Sequence, residues 1–580
     1  MRNYRYVLLL LLTMLRCVSS QSAEKNYLFK NGQSDYTIVV DIRASLSEKA
    51  AANDLAGYLQ KIGGVKIPVS NDLHTMGPCV YVGYNWRVAK LTAASRPVDD
   101  DEAFCYQTIG NDLLIYGGNQ RGTMYGVFTF LERELGVHWL TSNATQLPRL
   151  RDYQLPNLYY TDRPVIQRRL DFYYDALTHH EWLAHNLLNE QCNIVENQYG
   201  RLASYWGIHT FEKLIPPATY FKSHPEYFSV KDGQRSDKAQ LCLSNKAMRH
   251  ELIKNLKEAI RQNPGYWCYD VSQNDNPWPC ECSACQRLVK KYGSESGVMV
   301  WFVNQVAAAV KKEFPHVLIG TFAYLYTRQA PKGKIRLADN VVVRLCDIEC
   351  CMAHPLDGCE QNSSFLQDMN DWRSIASHIY IWDYTVGFQH YLLPFPNFRT
   401  LAANYQYFSR SNVIGVMEEG AHNAPWSEFS ELKQWMIAKL LWNPYQDTDS
   451  LASVFINAYY GKAALQVMQY YQLCQHLVTA DSHFTIAINS GHPLFTDSFI
   501  QDGQLLLKKA ETAVRSDKEI LRRVQRLSAQ LYYMRIKKNP VVSAADGTLN
   551  NFKQILRTDS TLISESGYTL EKLLRDTGYH

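Results

Sequence analysis

Between residues 160 and 425 the chain carries eight short apolar runs, each followed by a stretch with helical periodicity. This alternation constrains the fold more than any other feature, because short buried strands joined by helical crossovers assemble into parallel sheets. The runs are 166–173, 193–198, 240–243, 266–271, 317–326, 341–346, 378–382 and 413–417. Eight units over roughly 260 residues match the repeat length of a closed (β/α)8 barrel, so the expected fold class is α/β with a TIM-like barrel. The barrel is expected over 160–425, between two flanking domains.

The segment 25–150 reads as an α/β accessory domain. Residues 36–42 are rich in β-formers, and Ser45 with Glu48 forms a capping box before a helix. Ala51, Leu55, Tyr58, Leu59 and Ile62 give that helix its buried face, and Gly63-Gly64 ends it. A strand at 80–83, a hairpin at 104–117 turning at Gly110-Asn111-Asp112, and a helix at 121–135 follow. The glycine-rich stretch 117–122 lacks the lysine of a phosphate-binding loop and is read as a turn. After Pro425 the alternation stops, and 426–580 is expected to be a helical domain. Its clearest helix is 428–441, with Phe429, Leu432, Trp435, Met436, Leu440 and Leu441 on one broad face.

Composition narrows the class of partner. Of 580 residues 46% are hydrophobic, which excludes a disordered chain. Residues 1–20 read as a signal peptide, with Arg2 and Arg5 ahead of an apolar run and small residues at 18–20. That run, 7–15, is shorter than the ~20 residues that span a bilayer. The expected destination is the periplasm or cell surface, with the membrane touched only through a lipid anchor on Cys17, for which Arg16 is a poor neighbour. The formal charge of +4 drops to near +1 once Arg2, Arg5 and Arg16 leave with the leader, so a nucleic-acid partner has no support.

Thirteen cysteines remain beyond Cys17, an odd number that leaves at least one outside any intrachain disulfide. Cys280, Cys282 and Cys285 form a C-x-C-x2-C run, with Cys268 twelve residues upstream. A zinc site completed by a fourth ligand competes here with a local disulfide or plain thiols. No cofactor is expected.

In a parallel barrel the chemistry gathers where strands exit at their C-terminal ends. The segments there are acidic: Asn274-Asp275 after the fourth run, Asp347-Ile348-Glu349 after the sixth, Asp383-Tyr384 after the seventh and Glu418-Glu419-Gly420 after the eighth. Crowded carboxyls split into protonated and ionised members, which supplies both a proton donor and an anion to one site. Glycoside hydrolysis uses that division. Trp267, Trp278, Trp382, Tyr384 and Trp426 lie in or beside the same segments, and aromatic rings stack on sugar faces. His354, His390 and His422 fall just past the last three runs. They would hydrogen-bond sugar or ligate a metal, although no H-E-x-x-H motif is present.

The central motifs resemble a family. Residues 271–276, the cysteine run after them, Arg344-Leu345-Cys346-Asp347-Ile348-Glu349-Cys350, Ile381-Trp382-Asp383-Tyr384 and 390–396 are similar to domain of unknown function 4838, which corresponds to glycoside hydrolase family 163. Segments 121–126 and 131–137 resemble the accessory domain that precedes the barrels of family 20 hexosaminidases and family 67 α-glucuronidases. The resemblance implies an endo-β-N-acetylglucosaminidase of gut bacteria acting on complex N-glycans of a glycan or glycoprotein substrate. It also implies a retaining route in which the substrate's own 2-acetamido group attacks the anomeric carbon. Families 20 and 84 place a double-acid pair after the fourth strand, whereas Asn274-Asp275 pairs an amide with an acid.

On this reading Asp275, Glu349 and Glu418 form the reacting set, with Glu349 the preferred proton donor because Ile348 and Cys350 would desolvate it. Asn274 and Asp383 would hold the acetamide or nearby hydroxyls, and Trp382, Tyr384, Trp278, His354 and His390 would bind sugar. Rival readings are an exo-acting hexosaminidase, an α-glucuronidase-like enzyme, a noncatalytic glycan-binding protein on the same scaffold, and a zinc-dependent hydrolase.

Overall fold

The computed structural model describes residues 26–92 and 101–579. The expected leader and Cys17 lie outside them. The chain divides into two compact units, one of residues up to Val137 with Leu147–Asp162, the other of His138–Gln146 with everything from Arg163 onward.

The first unit is built on a six-stranded sheet in the order Tyr159–Asp162, Phe104–Ile109, Asp112–Gly117, Cys79–Val82, Thr37–Val40, Val69–Ser70. Helices Leu46–Gly63, Trp86–Thr92 and Gly122–Leu135 and the two-stranded sheet of Tyr27–Lys30 with Asp152–Gln154 belong to the same unit. The capping box forms as expected: the Glu48 N–H donates to Ser45 Oγ at 3.2 Å, and the Ser45 N–H donates to Glu48 Oε2 at 2.9 Å. Gly64 ends the helix with φ 66°, a left-handed conformation that favours glycine. The stretch 117–122 is a close-packed turn. A Cβ at Gly117, Gly118 or Gly122 would overlap the carbonyl oxygen of Ala103 or Asp101, which explains the glycines without a phosphate.

The second unit contains eight parallel strands: β1 Arg168–Phe172, β2 Glu190–Gln191, β3 Ala203–Trp206, β4 Cys268–Asp270, β5 Leu318–Ala323, β6 Val341–Cys346, β7 His378–Tyr384 and β8 Val413–Glu419. Neighbours in sequence are neighbours in the sheet, and β8 pairs with β1, which gives the (β/α)8 barrel. Between β1 and β2 side chains join the strands in place of a backbone ladder. The Arg169 N–H donates to Asn189 Oδ1 at 2.9 Å, Asn189 Nδ2 to the Gln167 carbonyl at 2.7 Å, and the Arg169 guanidinium to the Leu187 carbonyl.

Two strands lie elsewhere than the sequence predicts. Residues 193–198 leave the barrel, where Glu196–Asn197 pairs with Gly200–Arg201 in a small hairpin, and β2 is the preceding Glu190–Gln191. Residues 240–243 make only an isolated bridge, Phe228 with Leu241. The true β3, Ala-Ser-Tyr-Trp, is short and half polar, so it carries little of the apolar signal that marks a buried strand.

The barrel interior is unusually polar. Arg344 of β6 is fully buried, its guanidinium 3.7 Å from the Tyr205 ring centre and 4.7 Å from that of Tyr380. The Glu190 carboxylate accepts from Trp267 Nε1 at 2.9 Å and from the Tyr380 hydroxyl at 2.8 Å. Stacking, hydrogen bonding and the opposite charges of Arg344 and Glu190 offset the cost of burying these groups. Trp267 is therefore an interior packing residue.

Beyond β8 the chain is helical. Helix Ser430–Trp442 is buried on every side, where the sequence predicts an amphipathic helix. The difference is possible because Lys433 is paired: its Nζ donates to Glu428 Oε2 at 2.9 Å and to the carbonyls of Thr385 and Phe395. Trp426 is also core, donating to the Asp559 carbonyl at 3.1 Å. Among the described residues no helix is long and apolar enough to cross a membrane.

Candidate active site

At the C-terminal mouth of the barrel lies a cavity of about 280 Å³. Asp275 enters it from the loop after β4, Tyr324 from the loop after β5, Trp382 and Tyr384 from β7, and Glu419 from the last position of β8. Glu565 reaches it from the helical region. Trp382 and Tyr384 stand two apart on one strand and thus on one face, with ring centres 6.3 Å apart and planes 18° from parallel. They form a flat aromatic wall.

Glu419 is the most perturbed acid of this cavity. Burial pushes its carboxyl up to about 8, the charges of Glu565 and Asp275 push the same way, and the indole of Trp382, donating to Glu419 Oε2 at 2.7 Å, opposes them. Glu565 is raised too, first by burial and then by Asp275. Asp275 is exposed, and its Oδ1 accepts from the Tyr324 hydroxyl at 3.2 Å. A protonated carboxyl thus faces a solvated one across an aromatic-walled space, the pairing a general acid and its partner require.

Of the three acids expected to react, only Asp275 lines this cavity. Glu418 is adjacent to Glu419 on β8 and so points to the opposite face of the strand. There it lies in register with Asp383 of β7 and Asp171 of β1. Glu418, Asp383, Asp171 and Asp347 are all buried behind the barrel wall. Tyr405 lies against Glu418 and Asp383 against Asp347. Burial raises all four. For Glu418 the charge of Asp383 adds to burial, and for Asp347 the charges of Asp383 and then Glu418 do. Asp383 is pushed up to about 6, its Oδ1 accepting from the Tyr384 N–H at 2.7 Å.

Glu349 also lies outside the cavity. Its side chain is 50% exposed and paired with Arg328, whose guanidinium also holds Asp368 at 2.8 Å. The side chain is half exposed, so the desolvation expected from Ile348 and Cys350 does not occur. Asn274 is buried and spent on the backbone: Oδ1 accepts from the Glu212 N–H and Nδ2 donates to the Ala239 carbonyl, each at 3.1 Å. Trp278 is 43% exposed and does not line the cavity.

The histidines go three ways. His390 bonds the Tyr533 hydroxyl at 2.7 Å, and burial pushes its pKa down to about 4. His354 joins Cys351, Cys359 and His483. His422 brings a ring nitrogen within 4.8 Å of carboxylate oxygens of Glu419 and Glu565, a trio that would accept a cation at the cavity rim. Cys280, Cys282 and Cys285 gather around Cys242, whereas Cys268 is buried within β4.

Glu419, Tyr324 and Glu565 are cavity residues that the sequence reading left out of its reacting and binding sets. Strand parity had the information for Glu419: Tyr384 pairs with Glu419 and Asp383 with Glu418, so the acid on the aromatic face is the second of the two. Glu565 lies far along the chain in a helical region without a motif, and no local signal marks it.

A (β/α)8 barrel with an acidic, aromatic mouth is the class that fold and site define. The chain belongs to the family described as a domain of unknown function, DUF4838, which it matches over residues 139–472. Three solved structures align with it, and the first shares its fold. One described as a family GH115 4-O-methyl-α-glucuronidase with specificity for decorated arabinogalactans aligns with a TM-score of 0.57 at 10% identity, over 95% of this chain and 78% of that one. A Flavobacterium johnsoniae chitobiase aligns with a TM-score of 0.48 at 10% identity, over 95% of this chain and 96% of that one. A mutant Streptomyces plicatus β-hexosaminidase in complex with its product gives 0.44 at 12% identity, covering 78% and 92%. No curated protein matches the sequence.

Proposed function

We propose that this protein is an exported glycoside hydrolase, an endo-β-N-acetylglucosaminidase acting on complex N-glycans by a retaining, substrate-assisted route. The observation that carries the reading is Glu419: a carboxyl buried in the barrel mouth, pushed up to about 8, facing Asp275 beside a Trp382–Tyr384 wall. The specific substrate rests on the resemblance of residues 271–276, 344–350, 381–384 and 390–396 to glycoside hydrolase family 163. Export rests on the leader-like residues 1–20.

Glu419, protonated at neutral pH, gives its proton to the glycosidic oxygen as the C1–O bond breaks. The acetamido carbonyl oxygen of the same sugar attacks C1 and closes an oxazolinium ring. Asp275, steadied by the Tyr324 hydroxyl, takes the acetamide N–H and balances the charge that develops there. Glu419, now ionised, draws a proton from water, which opens the ring at C1 with net retention. Trp382 and Tyr384 supply the stacking face.

The test is hydrolysis of a defined biantennary N-glycopeptide compared with aryl N-acetylglucosaminide. Endo action releases a glycan ending in one N-acetylglucosamine and leaves the other on the peptide. Monosaccharide release alone would support the exo-acting alternative, and binding without release would support a noncatalytic glycan-binding protein.

A further inference from the structure

Outside the barrel mouth the most organised cluster of reactive side chains is formed by four thiols. Cys242 follows the hairpin of Val230–Lys231 with Gln234–Arg235, Cys280 and Cys282 lie in the loop after β4, and Cys285 sits in the first turn of helix Ser283–Tyr292. All four sulfurs lie within 4.8 Å of one another. Cys242 Sγ is 3.7 Å from Cys282 Sγ and 3.9 Å from Cys285 Sγ. Ligands ~2.3 Å from a tetrahedral zinc stand ~3.8 Å apart, whereas a disulfide holds its sulfurs at ~2.05 Å. The cluster has the first geometry, and its cysteines are unbridged.

The surroundings suit thiolates bound to a cation. The Val230 N–H donates to Cys280 Sγ at 3.3 Å and the Cys285 N–H to Cys282 Sγ at 3.4 Å, while Ser244 Oγ lies 3.2 Å from Cys285 Sγ. The Arg235 guanidinium faces Cys242, Cys280 and Cys282, where its charge offsets the net negative charge of four thiolates around one divalent ion. Cys242, Cys280 and Cys285 are buried and Cys282 is half-buried, and four thiolates fill a tetrahedral shell, which leaves no open position for a reacting water. Among the described residues Val230 is the one hydrophobic side chain, apart from Cys282, that packs against the buried sulfurs. A structural ion would supply what a hydrophobic core supplies elsewhere.

We infer that Cys242, Cys280, Cys282 and Cys285 hold one structural zinc ion in a closed tetrahedral site. The site bears on the barrel mouth through Gln240, two residues from Cys242. The Gln240 side chain accepts from the Asn274 N–H at 2.8 Å and donates to the carbonyls of Asn274 and Asn276 at 2.9 Å, so it clamps the residues on either side of Asp275. Zinc anchors the base of that clamp, and Gln240 is a positioning residue.

A second group carries the same kind of inference on its own geometry. His483 Nδ1 lies 3.3 Å from Cys351 Sγ and 3.7 Å from Cys359 Sγ, and His354 Nδ1 lies 3.8 Å from Cys351 Sγ. The other ring nitrogen of His354 is held by the Thr479 carbonyl at 2.9 Å, the outer partner that fixes a ligating tautomer. This Cys2His2 set would bind a second zinc, tying the loop after β6 to the segment around His483.

The test is zinc content of the full-length protein, prepared without added metal and dialysed in metal-free buffer, read by mass spectrometry together with the Co²⁺ absorption spectrum after exchange. The expected result is one zinc for each site. Cys280→Ser with Cys285→Ser should lose one equivalent along with the intense sulfur-to-cobalt band of a four-thiolate site, and His483→Ala should lose the other. Zinc-free protein with full glycosidase activity would overturn both sites and leave the proposed hydrolysis untouched. Retention of a single equivalent, abolished by only one of the variants, would overturn the other site. A disulfide among Cys242, Cys280, Cys282 and Cys285 in non-reducing peptide maps would overturn the first whether or not the variants fold.

Discussion

The indole Nε1–H of Trp382 donates to Oε2 of Glu419 at 2.7 Å, across adjacent strands of the barrel. The bond aims the carboxyl at the cavity and favours its ionised form against burial. Trp382→Phe keeps an aromatic face and removes the donor. The basic limb of the kcat/KM–pH profile should therefore move to higher pH. An unchanged limb would mean that Glu419 is not the group titrating.

Asp275 acts on Glu419 in the opposite sense, since its charge raises the Glu419 pKa. Asp275→Asn should lower kcat and move the basic limb of the residual activity to lower pH. A drop in kcat with no displacement of the limb would separate the two acids electrostatically.

Glu419→Gln should reduce kcat by ~10²–10⁴, the usual contribution of a positioned general acid, while N-acetylglucosamine binding followed by tryptophan fluorescence persists. Glu349→Gln should leave kcat near the wild-type value, because that side chain is ion-paired to Arg328 outside the cavity.

The four acids behind the barrel wall make stability depend on pH. Their folded-state pKa values lie above the unfolded range, Asp383 at about 6 and Glu418 and Asp347 well raised. The folded chain therefore binds more protons than the unfolded one above about pH 4.3. Their contribution is fully present below that pH and is lost as pH rises through the folded values. Glu418→Gln, which cannot ionise, should be more stable than wild type at pH 8 and gain less at pH 5 in urea denaturation. An equal difference at both pH values would contradict the assignment.

Lys433 and Glu428 are a buried ion pair, with side chains 0% and 1% exposed. Lys433→Met leaves the carboxylate alone in the core and should cost ~3–5 kcal/mol, whereas adding Glu428→Leu should recover much of that loss. Additive losses in the double variant would exclude the pairing as the cause.

How much of this was legible beforehand follows from the physics of each element. Strands β4 to β8 were visible because they are buried on both faces and so read as continuous apolar runs. β2 and β3 were not, since two residues at Glu190–Gln191 and a half-polar Ala203–Trp206 carry no such run. The acidic rim was also visible, yet composition alone does not distinguish adjacent acids. Glu418 and Glu419 differ only in strand parity, and Glu349 is held outside the cavity by Arg328, a partner 21 residues away. The thiol run was legible, but its fourth member is Cys242 rather than Cys268, because Cys268 is committed to the interior of β4.

The most direct test of the central claim is mass-spectrometric product analysis of a defined biantennary N-glycopeptide incubated with wild type and with Glu419→Gln. The account predicts that wild type leaves a single N-acetylglucosamine on the peptide and that Glu419→Gln leaves the substrate intact while still binding it. Cleavage by Glu419→Gln at the wild-type rate, or no cleavage of any glycan by wild type, would contradict it.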